Sequence, residues 1–175
     1  LQAARDSQIN TFGWPIGIVL DSSENKPRPT ADGIQVEIDH TDIYDYWALR
    51  RNGDFFLLKS LFEDSRTSTK DKIFFNTRIV RSTEALLYLV RLYSRLGVDP
   101  TTVLHVRLRH SGLRGRTMGA TASRHMRDGR VSSVDVIDSE THGSLSAIET
   151  HLPEHVKALL APAFVLFDYF DVSDA

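Results

Sequence analysis

The sequence predicts an α+β fold: a largely antiparallel sheet with a central β-hairpin, one long helix, and a C-terminal helical segment packed on one face. Three stretches carry that expectation. YDYWALRRNGDFFLLKSLF sets two apolar, aromatic runs either side of Asn52-Gly53, a dipeptide that readily takes the positive φ angles of a tight I′ hairpin turn. Residues 77–96 repeat apolar side chains at helical spacing. VLHVRLRH at 103–110 alternates strictly, with Val103, His105, Arg107 and Arg109 on one side and Leu104, Val106 and Leu108 on the other.

The elements follow in order. IGIVL at 16–20 is a short apolar run that reads as a buried strand, and SSENKPRPTADG at 22–33 has the proline and glycine content of an exposed loop. Ile34, Val36 and Ile38 alternate with Gln35, Glu37 and Asp39, the period of a strand with one wet face. The hairpin strands are placed at 44–51 and 54–61, with Trp47 and the Phe55/Phe56 pair supplying packing. EDSRTSTKDK at 63–72 reads as a polar loop. Asn76 is the expected N-cap of the long helix, whose stripe is Ile79, Val80, Thr83, Leu86, Leu87, Val90 and Tyr93. Gly97 suits the left-handed C′ position and Pro100 blocks continuation. VSSVDVID at 131–138 is a further expected strand. The last helical run has Ile148, Leu152, Val156, Leu159, Ala163 and Phe167 on one stripe, Ser146 and Glu149 as a capping box, and Pro153 and Pro162 to kink or divide it.

Composition bounds the chemistry. With 41% hydrophobic residues, the 175-residue chain has enough apolar material for one domain with its own core, and residues 1–175 are read as one. The absence of cysteine excludes disulfides, thiolate zinc sites and a cysteine nucleophile. No apolar run approaches the roughly 18 residues of a membrane span, and no basic-then-apolar leader precedes the first strand. The expectation is a cytoplasmic protein with no membrane partner. A chain starting at Leu1 also suggests an upstream domain of the same protein as a partner.

Catalytic patterns are weak. HLPEH at 151–155 matches the H-x-x-E-H of one class of zinc peptidases, but Pro153 sits where the helical turn between the histidines must be regular. Ser111 lacks a G-x-S-x-G context, and no P-loop occurs. Gly112, Gly115 and Gly119 are too loosely spaced for a dinucleotide fingerprint. Asp39, Asp42 and Asp45 lack calcium-loop spacing and read as solvated acids. No metal, cofactor or catalytic residue is assigned.

What stands out is charge. RLRHSGLRGRTMGATASRHMRDGR at 107–130 holds seven arginines and two histidines against Asp128 alone, in a chain of formal net charge −2. Arg107 and Arg109 alternate on a strand, so their guanidinium groups stand on one face. Arg114 and Arg116 follow in a glycine-containing turn whose amides would be free to face an anion. Such forks bind phosphate or carboxylate in bidentate fashion. The candidate anion- or partner-contacting residues are therefore Arg107, Arg109, His110, Arg114 and Arg116, with His110 as a pH-sensitive member. The competing reading pairs these arginines with Glu37, Glu63, Asp64 or other local acids.

WPIGIVL, YDYWALRRNGDFFLLKSLFED, IFFNTRIVRSTEALLYLVRLYSRLG and RHSGLRGR, spanning about residues 14–116, resemble the C-terminal region that follows an AlbA-like (Schlafen-type) DNA-binding domain in bacterial proteins. That resemblance implies a regulatory or sensing domain beside a nucleic-acid-associated module and brings no active-site residues with it. The leading expectation is a non-enzymatic sensing or interaction domain that binds an anionic small molecule or an acidic partner surface. Direct nucleic-acid binding is the alternative, and a metal-dependent hydrolase using His151 and His155 the least favoured. A homodimer through the aromatic hairpin or the last helix stays open, against the reading that Phe164, Phe167 and Phe170 complete the monomer's core.

Overall fold

In the computed structural model, which describes residues 1–11, 13–22, 24–41, 43–121 and 130–168, the chain is α+β as the sequence predicts. The elements are α1 (Gln2–Asp6), β1 (Arg28–Thr30), β2 (Gly33–His40), β3 (Ile43–Arg50), β4 (Phe55–Lys59), β5 (Lys72–Phe74), α2 (Phe75–Arg95), β6 (Val103–His110), β7 (Thr117–Gly119), β8 (Ile137–Ser144), α3 (Leu145–Thr150) and α4 (Leu152–Leu166). β1 to β4 form one antiparallel sheet in sequence order, β6 and β8 an antiparallel ribbon, and β5 and β7 a short parallel pair. The loop expected at 22–33 thus contains an edge strand, β1, paired with β2.

The hairpin is present, but its turn differs from the expected two-residue I′ form. Arg50 N–H donates to Asp54 O and Gly53 N–H to Arg50 O, and Gly53 takes φ +92 while Asn52 stays at negative φ. This is a three-residue loop ending on a left-handed glycine. The extra residue sets which phenylalanine is buried. Leu49 pairs with Phe55 and Trp47 with Leu57, so Phe55 joins Trp47 on the inner face and Phe56 turns outward at 56% exposure. A two-residue turn would have reversed those roles, because a one-residue slip moves every side chain to the opposite face.

α2 lies between two apolar clusters. Toward the four-stranded sheet, Tyr88 and Leu92 pack with Ile16, Ile18, Val36, Ile38 and Trp47; on the other side Leu86 and Val90 pack with Leu145, Ile148, Leu159, Leu160, Phe164 and Phe167. Phe164 and Phe167 therefore complete the core; Phe170 lies outside the described residues. Residues 16–20 do not form the expected strand. Gly17 sits at φ +68 against the Tyr88 ring, where any Cβ would overlap it, and Ile18 O accepts the Trp47 indole N–H at 2.7 Å. Tertiary packing holds this run in irregular turns.

The end of α2 is as expected. Val98 N–H donates to Tyr93 O, Gly97 N–H to Ser94 O, and Gly97 has φ +77, a full Schellman arrangement. Its start is not. Phe74 occupies the N-cap without a capping side chain, and Asn76 instead clamps Thr121. The loop expected at 63–72 contains two 3-10 turns, Phe62–Ser65 and Thr67–Thr69. The final helical run divides at His151 into α3 and α4, with Ser144 rather than Ser146 as the N-cap and Pro162 retained inside α4. β8 begins at Ile137; residues 131–136, expected as strand, run alongside the 113–116 turn.

Candidate functional site: the arginine ribbon, the buried ion pairs and the open sheet face

Arg107 and Arg109 share the outward face of β6, as the alternation requires, and β8 lies opposite them. The register sets Arg109 across from Asp138 and Arg107 across from Glu140. Arg109 donates from Nε and Nη2 to both Asp138 oxygens at 2.9 Å, and Arg107 reaches the same carboxylate at 3.4 Å. The two guanidinium groups hold the Asp138 carboxyl down at about 2, hydrogen bonding to Arg109 being the largest cause. Arg116 turns inward to Asp64 at 2.6 Å and is only 14% exposed. An uncompensated cluster is therefore absent at three of the four arginines. Arg114 is exposed and its side chain makes no ion pair among the described residues. Arg124 and Arg127 lie outside those residues.

Two further expectations are corrected. The amides of the glycine-containing turn are not free: Leu113 and Gly115 N–H donate to Asp135 O and Ser132 O, and Arg114 N–H to the Asp135 carboxylate. The 131–136 segment satisfies them by running beside the turn. His110, at the inner end of β6, is 7% exposed. Burial, with the nearby Arg78 charge, pushes its imidazole down to about 4, so it stays neutral at physiological pH and does not join the outward arginines.

Buried charge is concentrated around α2, where sequence periodicity gave no hint of it. Glu63, fully buried, accepts from Phe74 N–H at 2.6 Å and from Arg78 Nη2 at 3.1 Å. It places a carboxylate at the positive end of the α2 dipole, which replaces the missing cap. Desolvation depresses the Arg78 guanidinium below its usual range in spite of Glu63, and its Nε has no hydrogen-bond partner among the described residues. Asp45, expected as a solvated acid, lies on the inner face of β3 at 1% exposure and pairs with Lys59. Burial outweighs that lysine and raises the Asp45 carboxyl. Asp39 is exposed as expected, and Asp42 lies outside the described residues.

The histidines of HLPEH do not form a ligand pair on one uninterrupted helix. His151 is the junction between α3 and α4, and His155 Nδ1 is 2.8 Å from Thr141 Oγ1. Among the described residues no group of three or more His, Asp or Glu side chains is placed to hold a metal ion. Among them, too, no helix is long and apolar enough to cross a membrane.

The remaining feature is the outer face of the four-stranded sheet. Tyr44, Tyr46 and Ala48 of β3 and Phe56 and Leu58 of β4 stand there beside Gln35, Glu37 and Asp39 of β2. Phe56 and Leu58 are 56% and 48% exposed. Tyr46 meets Phe56 edge-to-face at 5.9 Å, and the tyrosine hydroxyls donate to Gln35 and Glu37. No element covers this surface among the described residues. Its signal was in the sequence, as FFLL on a strand whose alternate positions cannot both be inside.

No protein-family model, curated protein or solved structure matches the chain.

Proposed function

We propose that this chain is a non-enzymatic interaction domain of a bacterial regulatory protein, docking a protein partner on the open face of its four-stranded sheet. The carrying observation is Phe56 and Leu58, half exposed side by side on an edge strand and continued inward by Tyr46 and Ala48. An apolar, aromatic centre with a polar rim is how docking surfaces are built. The rim is Glu37 and Asp39 on one flank and Arg28 and Arg50 on the other, with Arg50 tied to Asp32 at 3.5 Å. The resemblance of residues 14–116 to a region following an AlbA-like domain supports a place beside a nucleic-acid-associated module.

A second reading keeps the arginine ribbon as an anion-contacting surface, for an acidic partner, an anionic small molecule or nucleic acid. The observation that favours it is Arg114, exposed and without a side-chain ion pair among the described residues, in the turn that follows the strand whose two outward arginines share one aspartate. Against it stand Asp138 and Glu140 on the same ribbon face. One comparison separates the readings. Phe56→Ser/Leu58→Ser and Arg107→Gln/Arg109→Gln proteins, each shown to be folded, are compared with the unaltered chain in partner capture from lysate and in a DNA titration at two salt concentrations. Capture lost in the first variant and kept in the second supports the sheet face. DNA binding that falls steeply with salt and disappears in the arginine variant replaces it with the second reading.

A further inference from the structure

β4 is an edge strand, and the hairpin geometry shows which of its backbone groups are unused. Arg50 N–H bonds Asp54 O at one end and Ser60 N–H bonds Tyr44 O at the other. In the register Ala48 to Phe56 and Tyr46 to Leu58, the even-numbered residues therefore exchange their bonds with β3. The N–H and C=O groups of Phe55, Leu57 and Lys59 point away from the sheet, and no described residue bonds them. An apolar edge of this kind is a template for another strand.

We infer that the strand that fills it is β4 of a second copy of this chain, running antiparallel about a two-fold axis at Leu57. The sequence of the edge is self-complementary in that register alone at full overlap. Leu57 meets Leu57 of the partner subunit, and Phe55 meets Lys59 of the partner subunit, so every outward backbone group finds its complement. Phe56 then faces Leu58 of the partner subunit, and the reciprocal pair forms across the axis. These are non-hydrogen-bonded positions, where opposed side chains lie closest. Phe56 and Leu58 thereby gain lateral apolar neighbours across the axis while the outer face of the merged sheet stays open, and no like charges oppose each other. The two sheets merge into one continuous antiparallel sheet.

The area sets the strength. Two strand edges about 17 Å long and about 10 Å thick bury on the order of 340 Å² in total, well below the roughly 1,200 to 2,000 Å² of stable interfaces. The dimer is therefore weak and exchanging, with a dissociation constant in the micromolar range or above. This inference rests on the proposed role of the open sheet face and names the strand that extends that sheet at its edge.

The chain has no cysteine, so its register can be read chemically. Separately purified Phe56→Cys and Leu58→Cys proteins are oxidised alone and as a mixture, and self-association of the cysteine-free chain is followed by sedimentation velocity from micromolar to millimolar concentration. The expected result is concentration-dependent dimerisation, with the mixed 56–58 crosslink outnumbering either self-crosslink severalfold beyond statistical pairing. Phe56→Lys/Leu58→Lys should weaken dimerisation at least tenfold, whereas Phe56→Glu/Leu58→Lys, which sets opposite charges across the axis, should restore most of it. A monomer at every concentration, or crosslinks in statistical proportion, overturns the dimer. Neither result touches partner capture by the Phe56→Ser/Leu58→Ser comparison, which judges the docking surface independently.

Discussion

Acidification should destabilise the protein through His110, and the size of the effect follows from the structure. The imidazole is buried at the inner end of β6 beside Arg78 and is held down to about 4, against an ordinary 6.5. Between those values the unfolded chain binds a proton that the folded chain refuses. Stability is therefore complete above pH 6.5 and falls as pH drops toward 4, with a slope of at most about 1.4 kcal/mol per pH unit. From pH 7.5 to 4.5 this amounts to about 2 to 3 kcal/mol, a large part of a typical domain's stability. Asp45 acts in the opposite sense: its raised carboxyl gives the folded state extra affinity for a proton as pH falls. The assay is urea unfolding at half-unit pH steps on the unaltered chain and on His110→Phe, which keeps an aromatic ring but cannot titrate. Asp45 is common to both proteins and cancels in the difference. Parallel curves would refute the assignment, because they would mean His110 ionises alike in both states.

Three other perturbations test separate parts of the account. Glu63→Gln removes the carboxylate that serves both Phe74 N–H and Arg78 and should cost about 3 kcal/mol or more in chemical denaturation, because it leaves a buried cation uncompensated. Gly53→Ala should cost about 1 to 2 kcal/mol from its φ of +92 alone, since nothing lies within 4 Å of the added Cβ; an unchanged midpoint would contradict the three-residue loop. Asp138→Asn should release Arg107 and Arg109 together and shift elution from heparin to higher salt. The depressed Asp138 carboxyl also keeps that triad charged as pH falls below 3.8, until it is protonated near pH 2.

What the sequence disclosed was local. β6 was legible from end to end because its alternation of apolar and cationic residues is complete, and the C-terminus of α2 because Gly97 and Pro100 act within one turn. What it hid was decided by partners far along the chain. The neutralisation of Arg109 depends on Asp138, 29 positions later, and becomes visible only when β6 pairs with β8. The start of α2 is served by Glu63, 11 positions before Phe74, so Asn76 was free for Thr121. Gly17 looked like part of an apolar strand, but its positive φ and its contact with Tyr88 are tertiary facts. Asp45 was read as solvated because an acid outside any ligand spacing is solvated by default; strand parity puts it inside with Trp47. The hairpin's position was legible and its register was not, because Asn-Gly fits a loop of either length.

Residue-resolved hydrogen exchange of β4 at rising protein concentration tests the central claim most directly, that this edge and its outer face are where the chain is recognised. The amides of Phe56 and Leu58, already bonded to β3, should exchange slowly throughout. Those of Phe55, Leu57 and Lys59 should exchange quickly when dilute and become protected when concentrated. Exchange at those positions that does not change with concentration would contradict the account.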